Sequence, residues 1–161
     1  MILDAALLLS GSVAANGALT GQAVNGAGSF VSANTIDAAP LALGGNQAGD
    51  IGAGEELNVA FSVLTAPTVG TSVQFQVIQA DDAALTAGVE VISSTDAIPI
   101  AKLPAGTVIK LGINPAPGAA KRYVGARYVT VGAIATCSIA AAIVKDVQGK
   151  PANFKSGYSI A

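Results

Sequence analysis

Apolar and polar side chains alternate most regularly from residue 106 onward. Gly106-Thr-Val-Ile-Lys-Leu-Gly-Ile113 puts Ile109, Leu111 and Ile113 on one face and Val108 and Lys110 on the other. A strand with one wet face reads this way. The loop Asn114-Pro-Ala-Pro-Gly118 follows, then the run Arg122–Val131, a Gly132-Ala133 turn, and the run Thr136–Val144. β-Branched runs separated by Gly, Pro and Asn predict antiparallel strands joined by short connections. These three are expected to form a meander at the centre of an all-β domain.

The same period appears upstream. Leu57, Val59, Phe61 and Val63 alternate with Asn58, Ala60 and Ser62. After a Pro67/Gly70 turn, Val73, Phe75 and Val77 alternate with Gln74 and Gln76. Residues 81–88 read as a connection and Val89–Ile92 as a short strand. Ile98-Pro-Ile100 reads as an edge segment, because proline cannot donate to an interior ladder. Residues 10–54 are broken by repeated glycines, so short strands are expected only at Ser29–Val31 and Thr35–Asp37. The apolar opening Ile2–Leu9 has two readings: leucines docked on a partner, or an edge element covering the chain's own core. It lacks a basic flank and contains Asp4, so no signal peptide is expected. No stretch reaches the roughly 20 apolar residues of a membrane helix, and no membrane segment is expected.

About eight strands and no long helix predict a single-domain antiparallel β-sandwich or jelly roll over residues 1–161. Residues 1–30 are expected to be an extended Gly/Ala-rich N-terminal arm, and 149–161, with Phe154 and Tyr158, a loop-like tail. A chain of 161 residues buries roughly 70% of its unfolded surface in one core.

Only 11% of residues are charged, against about a quarter in ordinary soluble domains, while 52% are hydrophobic. Either partners cover part of the surface, or exposed alanines inflate the apolar share. Net charge is −2, which points away from nucleic acid. Nine of the ten acidic residues lie at or before Asp96, and all eight basic residues lie from Lys102 onward. This makes either a dipolar subunit suited to oriented docking or scattered solvated charges.

Candidate chemistry is sparse. The chain has no histidine, which removes Ser-His-Asp and Cys-His arrangements and His metal sites. Cys137, the single cysteine, excludes an intrachain disulfide and reads as an inert core thiol. Asp50-Ile-Gly-Ala-Gly-Glu-Glu56 lacks the Gly-Lys-Ser/Thr ending of a phosphate loop. Asp50, Glu55 and Glu56 are weighed as ion ligands against a solvated turn, and the turn is preferred. Asp81-Asp82 is read as turn capping rather than an acid/base pair. Lys121, Arg122 and Arg127 with Tyr123 and Tyr128 fall short of a nucleic-acid surface, and Arg127 is assigned to an interface salt bridge. No catalytic residue, cofactor or metal is assigned.

The ordered features Met1-Ile-Leu-Asp4, Asp50–Leu57 and Val77-Ile-Gln-Ala-Asp-Asp82 carry a resemblance. So do Ile98-Pro99, Leu103-Pro-Ala-Gly106, Lys121–Tyr128, Ala142–Gln148 and Phe154…Ser-Gly-Tyr158. Over most of residues 30–160 the chain resembles the jelly-roll capsid cement (decoration) proteins of tailed bacteriophages. The resemblance implies a protein of the virion's outer capsid surface, made in the bacterial host cytoplasm. It implies partners in the major capsid protein and in itself, as homodimer or homotrimer, and no enzyme activity. Two other classes are kept beside it. One is a carbohydrate-binding or adhesive sandwich, which would need an exposed aromatic platform. The other is an enzyme with a carboxylate-only site at Asp81, Asp82 or Glu90.

Overall fold

The computed structural model describes residues 5–38, 57–114 and 121–145. After a 3₁₀ turn at Ala5–Leu7 come four short strands: β1 (Leu8–Ser10), β2 (Ser12–Val13), β3 (Leu19–Thr20) and β4 (Gln22–Ala23). Next are β5 (Gly26–Val31) and β6 (Ile36–Asp37), then the long β7 (Asn58–Thr68) and β8 (Ser72–Ala80). Shorter pieces follow, β9 (Glu90–Ser94), β10 (Ile98–Pro99) and β11 (Val108–Gly112). The long β12 (Tyr123–Ile134) and β13 (Thr136–Val144) close the series. All described residues are strand, 3₁₀ turn or connection, with no α-helix among them.

All strand pairs are antiparallel, and the strands form two main sheets. In the first, β13 and β7 are central, β11 flanks β7, and β1 and β4 lie in tandem along the other edge of β13. In the second, β8 and β12 are central. There β9 and β10 follow one another along β8, and β5 and β6 along β12. β2 and β3 make a separate hairpin.

The expected central meander is not formed. β11 and β13 sit on opposite sides of β7, and β12 belongs to the other sheet. Period-two alternation tells which side chains face inward, but not which strand supplies the ladder. The chain passes between sheets at residues 69–71 and again at Ala135. Gly132-Ala133, read as a turn, lies inside β12.

Inward positions of both sheets share one core. Val59, Phe61 and Val63 of β7 and Ile139 and Ala141 of β13 meet Val73, Phe75 and Val77 of β8 and Ala126 and Tyr128 of β12. Each large side chain buried this way contributes about 1.5–3 kcal/mol. At the centre Phe61, Phe75 and Tyr128 pack edge to face, with centroids 5.3–6.0 Å apart. The Tyr128 hydroxyl donates to Ser10 Oγ at 2.7 Å, with both residues fully buried. As the alternation predicts, Ile109 and Leu111 pack on the core and Ile113 is buried within it.

The segment expected as an extended arm contributes structure: Leu8–Ser10, Gln22–Ala23 and Gly26–Val31 are edge strands, and Leu9 is fully buried. Among the described residues thirteen strands are assigned, against an expectation of about eight. The excess is in two- and three-residue ladders among glycines and alanines, where no period can show. The expected tail at 149–161 lies outside the described residues.

Candidate functional site

Six charged residues, Asp37, Asp81, Asp82, Glu90, Lys121 and Arg122, lie at one end of the second sheet, where Ala80 pairs Tyr123. Lys121 Nζ lies 3.3 Å from Asp81 Oδ2 and 3.2 Å from Glu90 Oε1, and also donates to the Gly88 carbonyl. Burial alone would lower the Lys121 ammonium; its bonds to Glu90 and Asp81 prevail and raise it. Glu90 is held below its usual range by a hydrogen bond from Gln79 and by Lys121. Arg122 forms a two-pronged pair with Asp37 (2.9 and 2.8 Å) and lies over the Tyr123 ring at 5.1 Å. In these pairs early acids meet late bases.

This constellation ties down the 81–88 loop. Asp82 accepts bonds from Thr86 N, Thr86 Oγ1 and Ala87 N, which lower its pKa and close the 81–88 connection. Leu85, at φ +56°, is pressed into the face of the sheet at Gly125, where any β-carbon would collide with it. Lys121 lies between Asp81 and Glu90 and pairs with both. Arg127, expected in an interface salt bridge, donates within the chain to Gln76 Oε1 at 2.6 Å.

Cys137 is buried, and burial pushes its thiol up to about 11. Among the described residues no three His, Cys, Asp or Glu side chains converge as a metal site. Asp50, Glu55 and Glu56 lie outside them. Of the described aromatics, Phe61, Phe75 and Tyr128 face the core, while Phe30 and Tyr123 are half-buried on the second sheet. No described helix is long and apolar enough to cross a membrane.

The outer face of the first sheet has a different character. Leu8 and Leu19 fold over Ala60, Ala142 and Val144 in a small second cluster. Beside them a shallow depression, open to solvent, is lined by Leu8, Leu19, Ala60, Ser62, Val108, Ala140, Ala141 and Ala142. None of these residues is charged, and Ser62 supplies the single side-chain polar group. Val108 is 49% exposed at the rim. In the alternation, Ala60 and Ser62 stood for the wet side of β7. The readable signal was that the chain carries no charge at all from Leu57 to Ala80 or from Tyr128 to Val144.

Residues 18–143 match the profile of the family described as Bbp16, which is more than half of the chain. The chain belongs to the Bbp16 family. The Bbp16 match takes in both sheets from β3 to the last turns of β13, including the apolar outer face and the Lys121 cluster. β1, with Ser10 and Leu9, precedes the matched region. No curated protein matches the chain.

Proposed function

We propose that this chain is a structural virion protein. It decorates a bacteriophage capsid and stabilises it by clamping adjacent major capsid subunits, as the capsid cement proteins that it resembles do. On this reading the sandwich is a jelly roll that associates with itself, and the chain has no catalytic role. The observation that carries the reading is the uncharged outer face of the first sheet, from Leu8 and Leu19 across Ala60 and Ala140 to Val108. Small side chains there let a neighbour approach closely without stripping water from charges.

Specific protein interfaces bury about 1,200–2,000 Å². Repetition over a symmetric shell adds avidity, so single contacts can be modest. A clip that binds the closed lattice and not its dissociated subunits stabilises the lattice by linkage. The test is to heat decorated and stripped shells side by side. Decorated shells are expected to rupture at a higher temperature; equal rupture temperatures would refute the reading.

A further inference from the structure

We infer that residues 8–37 form a strap that closes one side of the sandwich and opens as a single unit while the other strands stay folded. This property belongs to the fold and is independent of shell decoration.

Every ladder that ties the strap to the rest of the chain runs along an outer edge. β1 and β4 lie along β13, and β5 and β6 along β12. The strands from β7 onward pair among themselves without it. β8 runs beside β12 from Tyr123 to Val131 without a break, and β7 runs beside β13 from Asn58 to Thr68. The ring cluster of Phe61, Phe75 and Tyr128 belongs wholly to these strands. They also tie the opposite side of the sandwich, where Ser93 Oγ on β9 donates to the Gly112 carbonyl on β11 at 2.7 Å. The strap therefore closes a sandwich whose central ladders are complete in its absence.

The strap is also tied to itself across that side. Gln22 on β4 donates Nε2 to the Val31 carbonyl on β5, and its Oε1 accepts from Ala33 N, both at 2.8 Å. Asn34 N donates to the Leu9 carbonyl at 2.9 Å, and Asn34 Nδ2 to the Leu8 carbonyl at 3.1 Å. These bonds join the half of the strap on the first sheet to the half on the second. Neither half leaves its sheet without breaking them or taking the other half along, so the two move together.

Its hold on the rest is uneven. Leu9, Ser10 and Val24 are fully buried, and Ser10 accepts the Tyr128 hydroxyl, so the closed form is the ground state. Elsewhere the ladders are short. β4 and β6 are each matched over two residues, and the β1 ladder shifts register between Leu8 and Ser10. The β5 ladder breaks between Thr130 and Ile134, where Gly26 (φ +107°) and Gly28 (φ +128°) lie opposite. Glycine loses the most backbone freedom on being ordered. The last strand is held by the solvent-exposed pair of Asp37 with Arg122, a kind that contributes little. Short edge ladders open at lower free energy than central ones. Opening uncovers the outer edges of β12 and β13 together, with the Tyr128 hydroxyl between them. Unpaired edges of this kind accept another strand, and the closed strap keeps them covered.

The test is amide hydrogen exchange, followed by NMR on the full chain at neutral pH over small urea increments. The amide of Val24, bonded to the Cys137 carbonyl, reports the half on the first sheet. The amide of Ser32, bonded to the Ala126 carbonyl, reports the half on the second. Phe61 and Val77 report the central strands. We expect Val24 and Ser32 to share one protection factor and one urea dependence, with protection at least tenfold below that of Phe61 and Val77. The double variant Ser29→Cys/Val129→Cys places two thiols directly opposite one another across the β5–β12 ladder. Oxidised, it should raise the protection of Val24 as much as that of Ser32, although Val24 lies on the other sheet. Reduced, it should leave both near wild type.

Strap amides as well protected as the central ones in the wild type overturn the inference, because the strap then leaves only with global unfolding. Unequal protection of Val24 and Ser32, or a bridge that slows Ser32 alone, overturns the single unit. The wild-type measurement decides both the separate opening and the equality even if the double variant fails to fold.

Discussion

Removing the Tyr128 hydroxyl tests whether β1 belongs to the core. Ser10 lies far from Tyr128 in sequence, and its Oγ takes the tyrosine proton at 2.7 Å where neither residue touches water. Tyr128→Phe keeps the edge-to-face contacts with Phe61 and Phe75 but leaves Ser10 Oγ buried without that partner. An unpaired buried hydroxyl costs about 1–3 kcal/mol. Ser10→Ala strands the tyrosine hydroxyl and costs a similar amount. The double variant removes both polar groups together and should cost much less than the two singles added, giving a coupling of about 1 kcal/mol or more. Urea denaturation of the four proteins at neutral pH measures this directly. A loss of 1 kcal/mol also lowers Tm by about 2–4 °C in a domain of this size. Strictly additive single effects would refute the contact, and with it the placement of β1 over the sandwich.

Three further outcomes are expected. Gly125→Ala forces Leu85 out of its seat and crowds Ser32 Oγ, 2.9 Å from the new β-carbon; it should destabilise by about 1–3 kcal/mol, read as a lower urea midpoint. Val108→Asp puts a carboxylate at the rim of the outer apolar face, so it should leave Tm nearly unchanged and abolish shell binding; undiminished binding would remove that face from the interface. Glu90 and Asp82 are both held below their ordinary values of 4.5 and 3.8, so their stabilising contribution is complete above those values and is lost as pH falls through the lower folded ones. Lys121 is raised above 10.5, so its contribution is complete below that value and fades only as pH rises through the folded one. The urea midpoint should therefore stay level from neutral pH to about 9 and fall under about pH 4.5, with a shallower acid limb in Glu90→Gln.

Much of the sandwich could be read from side-chain alternation, because the large apolar side chains of the long strands fall on the face that meets the shared core. The inward sets of β7, β8 and β11 follow directly from it, and Pro99 marks an edge as its missing N–H requires. Ladder partners could not be read, since Val108–Gly112 would present the same pattern beside β7 or β12. The short strands before residue 31 escaped because alanine and glycine carry no periodic signal. At the charged end, the turn-capping reading of Asp82 agrees with its bonds. The pairing of Asp37 with Arg122 could not be foreseen across 85 residues. The outer apolar face was hidden because Ala60 and Ala142 are small enough to pass for either side of a strand.

The buried thiol has a practical consequence. Cys137 stays protonated well above neutral pH and is out of reach of solvent, so alkylating reagents will pass the native chain by. A cysteine placed at Ala15, on the exposed hairpin loop between β2 and β3, would then be the one position to take a dye, a heavy atom or a displayed peptide. Every copy would carry its cargo at the same point, and on the decoration reading proposed above a covered shell would become an evenly spaced display.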